Sequence, residues 1–141
     1  MTQAHTDQPL IGCSVRDLQL YAAACLEAYC LSKGIAHPAV DDLLKHLEDY
    51  PEKDRLLAWD RAGAQLALNG RGDDVPQSLV ALIAPEDIEA FSSLVDSAVE
   101  VGMVDLYGGA IDLPVIFMGK ITAILRRNLI DLPEPKGAAV V

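Results

Sequence analysis

Not one Lys, Arg or His falls between Gly72 and Gly119, a stretch holding nine carboxylates: Asp73, Asp74, Glu86, Asp87, Glu89, Asp96, Glu100, Asp105 and Asp112. With no local counter-charge, this half of the chain sets up a negative field that attracts a basic partner and repels nucleic acid. Long apolar runs are missing too. None approaches the roughly 18 residues of a membrane span, and the polar Met1 to Gln8 segment, with no cationic start, does not read as a secretory signal. Cysteine is scarce: Cys13, Cys25 and Cys30. On one helix, Cys25 and Cys30 point about 140° apart, so they cannot pair, and buried free thiols in a reducing cytoplasm are the expectation.

Catalytic signatures are equally absent. The three histidines, His5, His37 and His46, lack the Glu-x-x-His spacing of helical carboxylate metal centres. There is no His-Glu-x-x-His, Cys-x-x-Cys, Gly-x-Ser-x-Gly elbow, phosphate-binding loop or dinucleotide fingerprint. Asp42 and His46, four apart, would give a metal only two ligands, and they read as an exposed helix pair. The reading is of a non-enzyme without cofactor or metal.

What is present is helical periodicity. The chain has 141 residues, 51% of them hydrophobic, and 21 acidic against 11 basic side chains. That suits one soluble domain with its own core. A near capping box of Ser14 and Asp17 opens a first helix that closes at Lys33-Gly34. Its apolar face is Leu18, Tyr21, Ala22, Cys25, Leu26 and Tyr29. A second runs from His37-Pro38 through Val40, Leu43, Leu44 and Leu47 to Tyr50. A third starts at Pro51, carries Leu56, Leu57, Trp59, Ala64 and Leu68, and stops at Asn69-Gly70-Arg71-Gly72. Gly70 to Val75 is the clearest loop; in it Arg71-Gly72-Asp73 spells an adhesion tripeptide, to which we attach no function, with Arg71 expected to balance Asp73 and Asp74. Pro76 to Ile83 reads as a short helix or a strand.

The fourth helix starts at Pro85. At 100° per residue, Ile88, Phe91, Leu94, Val95, Ala98 and Gly102 share one side, and Glu86, Glu89, Ser93, Asp96 and Glu100 the other. This acidic stripe is the candidate binding surface. Asp105 falls nearer the apolar side, so either the helix ends before it or it accepts hydrogen bonds from the turn Leu106 to Gly109. After a Gly108-Gly109 hinge, Asp112 caps a fifth helix that packs through Val115, Met118, Ile121 and Leu125 and ends at Arg126-Arg127. The expected fold is an all-α, single-domain bundle of five or six amphipathic helices, with residues 1–12 and 133–141 as poorly ordered tails.

The stretch Glu100-Val101-Gly102-Met103-Val104-Asp105-Leu106-Tyr107-Gly108-Gly109, the helix to Asn128 and the close Leu129-Ile130-Asp131-Leu132-Pro133 resemble the C-terminal half of small helical immunity proteins. Those bacterial proteins neutralise cognate toxins of contact-dependent and polymorphic toxin systems. The resemblance implies a cytoplasmic inhibitor whose partner is a basic, nuclease-like toxin domain steered by charge. From the helix projection, Glu86, Glu89, Asp96 and Glu100 would meet the partner's Lys and Arg, Asp73 and Asp74 would flank them, and Met103 or Tyr107 would supply an apolar anchor. Two other classes stay open: a helical scaffold or regulatory subunit acting through constitutive oligomerisation, and an enzyme acting on a cationic substrate.

Overall fold

A computed structural model describes residues 14–107 and 113–134. Among these residues the chain forms six helices and no strand: α1 Val15–Lys33, α2 Pro38–Glu48, α3 Leu56–Ala64, α4 Gln77–Val80, α5 Ile88–Tyr107 and α6 Leu113–Arg127. The fold is all-α, and Pro76 to Ile83 resolves as the single helical turn α4. The caps explain the boundaries. Ser14 Oγ accepts from the Asp17 N–H at 3.1 Å, the Asp17 carboxylate accepts from the Ser14 N–H, and Gly34 closes α1 at φ 70°. His37 caps α2 by accepting the Ala39 N–H on Nδ1, so the neutral ring carries its proton on Nε2, which donates to Ser78 Oγ at 2.9 Å.

The projected apolar faces of α1 and α5 are buried almost in full, and α5 packs against both α1 and α6. Other boundaries move. The third helix ends at Ala64 rather than near Leu68, because the chain must turn back to seat Leu68 and Asn69 in the interior and Gly70 against α5. Gly70 has φ 65°, and a Cβ there would lie 2.6 Å from Val99 Cγ2, so glycine meets both demands. Leu57 and Val115, expected to pack, are 55% and 41% exposed; Pro114, Thr122 and Ile124 fill the α6 interface instead. α5 carries through Asp105, which removes the alternative of an earlier helix end, while the Asp105 side chain, the Gly108-Gly109 hinge, the Asp112 cap and Cys13 lie outside the described residues.

α1 and α5 meet at a polar seam inside the core. Gln19 is fully buried and its Nε2 donates to the Ala98 carbonyl at 2.8 Å, while Tyr50 donates to the Gly102 carbonyl at 3.0 Å. A Cβ at position 102 would run into the Gln19 amide and the Tyr50 ring, so glycine there permits the close approach.

The segment after α6 is also tied down as far as Pro133, whose carbonyl accepts from Tyr21 Oη at 2.8 Å; Ile130 and Leu132 lean on the core. The turn into it is a Schellman motif, with the Ile130 N–H on the Leu125 carbonyl and Leu129 at φ 59°. A leucine in that left-handed position, 93% exposed, bears a conformational cost of about 1 kcal/mol and gains nothing from burial. Leu129→Gly is therefore expected to raise the urea midpoint, with a gain of roughly 1 kcal/mol. An unchanged or lowered midpoint would show the leucine to be unstrained or anchored.

Candidate functional site

The acidic stripe of α5 forms one wall of a groove. Glu89, Ser92, Ser93, Asp96, Ser97 and Glu100 line it from α5, Phe117 and Lys120 line it from α6, and it encloses about 420 Å³. Glu89, Asp96 and Glu100 thus occur together as the projection predicted, because residues three, four and seven apart share a helix face. Asp96 stays exposed at its outer edge, while partial desolvation raises its carboxyl above the usual value. Ser97, at the floor, is only 5% exposed.

Glu86 is exposed in the 3-10 turn Pro85–Asp87 that leads into α5. Its neighbour Asp87 is neutralised by Lys33 of α1 at 3.3 Å. Asp73 and Asp74 sit in an exposed loop on the other flank of α5, since Gly70 lies against Val95 and Val99, roughly 160° around the helix from Ser97. Met103 does not supply an exposed anchor: it is 6% exposed and belongs to the core. Tyr107 ends α5, and its side chain lies outside the described residues. Phe117, half-buried beside the carboxylates, is the aromatic that the sequence reading missed. Its position on α6 gives no hint that it faces Asp96, because only the α5–α6 packing brings them together.

A second constellation locks the Gly70 loop. His46 is not an exposed partner of Asp42; its ring stacks on Trp59 at 4.3 Å with an interplanar angle of 7°, and Trp59 Nε1 donates to the His46 carbonyl. Tyr50 abuts the same indole edge-on at 5.0 Å. Arg71 does not balance Asp73 and Asp74. It pairs with Asp60 of α3 at 2.7 Å, while Asn69 takes Asp73, donating to its carboxylate at 2.7 Å, and accepts the Arg71 N–H. His46 Nε2 and an Arg71 amino nitrogen both crowd Gly63, where a Cβ would lie 2.6 and 2.8 Å from them. Desolvation, then the Arg71 charge, lowers the imidazole below its usual pKa; Asp49 and Asp60 only partly oppose them.

The described thiols, Cys25 and Cys30, are buried and free. Burial pushes Cys25 to about 12, and burial with the charges of Asp41 and Glu27 pushes Cys30 to about 12. Among the described residues no group of three or more His, Cys, Asp or Glu side chains is placed to hold a metal, and no helix is long and apolar enough to cross a membrane. Compared with protein families, characterised proteins and solved structures, the chain finds no match.

Because the folded protein favours neutral His46, that contribution to stability is complete above the unfolded value near 6.5 and is lost as pH falls from 6.5 through the lowered folded value. Urea midpoints are expected to drop between pH 7.5 and 5.5. The drop should shrink in His46→Phe, which keeps a flat ring on Trp59; an equal drop in both proteins would remove His46 as the cause.

Proposed function

We propose that this chain is an acidic protein-binding module, a binder rather than an enzyme, that receives a basic partner along the α5 face. The observation that carries the reading is the groove itself. Three carboxylates on one face of one helix, seven and four residues apart, stand beside a half-buried aromatic ring, an arrangement suited to lysine or arginine side chains with apolar stems. The raised Asp96 carboxyl adds support: a charge held where desolvation disfavours it is a common mark of a binding position. The immunity-protein resemblance supplies the sharper form, in which the partner is a basic toxin domain neutralised in the cytoplasm. A competing reading, constitutive self-association, rests on Leu31 and Leu129, which are 77% and 93% exposed.

A pull-down from the native host, eluted with a salt gradient, separates the two. A small basic protein released at high salt is expected, and self-association alone would favour the scaffold. Combined charge reversal, Glu89→Lys with Asp96→Lys and Glu100→Lys, should slow association about tenfold or more at low salt and abolish rescue from the cognate toxin. Retained protection would refute the α5 face as the contact. Asp96→Asn should weaken binding yet raise stability at neutral pH, since a carboxyl raised on folding loses stability as pH climbs through its titration.

A further inference from the structure

Among the described residues Lys120 is the one cation that lines the α5–α6 groove, and it makes no ion pair with the carboxylates there. Its ammonium lies over the Phe117 ring, 5.4 Å from the centroid. The distance is that of a cation–π contact. Ser97, at the floor beside them, is 5% exposed, and its hydroxyl makes no hydrogen bond among the described residues. That residual exposure includes Oγ, so the hydroxyl opens onto the groove and can accept from a donor that enters it in place of water.

From these observations, and resting on the binding role proposed above, we infer that the groove is a receptor for a single arginine side chain of the partner, and that Lys120 occupies it in the free protein as an internal competitor. Arginine fits the chemistry better than lysine. Its planar guanidinium stacks on an aromatic face while its five N–H donors spread over several acceptors. The acceptors are at hand in Asp96, Glu100 and the Ser97 hydroxyl. An ammonium has only three donors around a point charge. On entry the arginine takes the Phe117 face and Lys120 swings out to solvent, from an exposed position on α6 that lets it do so without disturbing the core. The displaced lysine sets a threshold: weak, diffuse cations do not clear the ring, and a stacking guanidinium does.

The test is an amide-resolved NMR titration of the full chain with the peptide acetyl-Gly-Arg-Gly-amide, its citrulline counterpart and its lysine counterpart. Shifts confined to residues lining the groove, at least several-fold tighter for arginine than for lysine and absent for citrulline, are expected. Lys120→Met, an exposed substitution, should tighten arginine binding about threefold or more, Ser97→Ala should weaken it, and Phe117→Leu should erase the preference for arginine over lysine. Equal binding of the two cationic peptides, or unchanged or weaker binding in Lys120→Met, would overturn the receptor. If in addition the triple charge reversal abolishes binding while Ser97→Ala and Phe117→Leu have no effect, the acidic face survives as a diffuse electrostatic surface. Failure of both the peptides and a polylysine probe to bind at low salt would overturn the underlying binding role as well.

Discussion

The closeness with which α1 meets α5 governs the rest of the structure. Gly102 offers no side chain at the crossing, so Gln19 enters the core and ties its amide to the Ala98 carbonyl, while Tyr50 reaches the Gly102 carbonyl four residues along. Two carbonyls already used within the helix thus accept a second bond each. The arrangement fixes both the rotation and the register of α5, because a buried amide has far fewer acceptable positions than a leucine. With that rotation set, Phe91, Leu94 and Ala98 turn inward. Glu89, Asp96 and Glu100 are then left on the opposite side.

Stability and the proposed binding role pull against each other at that outward side. Three carboxylates on one helix face repel one another, and Asp96 is additionally desolvated by its place at the groove. The fold offsets this nearby. Lys33 neutralises Asp87 at the entrance to α5, and that contact also brings an ammonium to within 5.8 Å of the Tyr29 ring centroid. Tyr29 is buried beside Phe91, and desolvation, with the charges of Asp87 and Cys30, raises its phenol to about 12. Negative charge is therefore balanced where the helix joins the core and left in excess along the groove, where three carboxylates face one lysine. A partner that supplied positive charge would remove the remaining repulsion.

The Gly70 loop obeys a different logic. It runs past α5 on the flank opposite α6 and is held by an aromatic stack and two charged contacts in addition to the apolar packing of Leu68 and Val75. Asp60, Asn69, Arg71 and Asp73 form a continuous chain of donors and acceptors. His46 completes it by filling the space over Gly63, at the cost of leaving Nε2 without a hydrogen bond. The two loop carboxylates Asp73 and Asp74 remain exposed while the backbone that carries them is fixed.

Much of this was legible in the sequence because it is local. Ser14 and Asp17 cap one helix, Gly34 ends it, and the three-and-four spacing of Leu18, Tyr21, Cys25 and Tyr29 marks its buried side; each depends on neighbours within one turn. The acidic stripe follows in the same way from Glu89, Asp96 and Glu100 on one helix. Tertiary packing decided the rest. Asp42 and His46 are close in sequence, yet the imidazole goes to Trp59, thirteen residues on, because a flat ring gains more against an indole than beside an exposed carboxylate. Met103 is apolar and near the stripe, but its position on α5 turns it into the core. Periodicity reports which side of a helix is apolar, and it is silent on which helix covers that side. The pairing of Phe117 and Lys120 with the α5 carboxylates was therefore settled only when α5 and α6 packed.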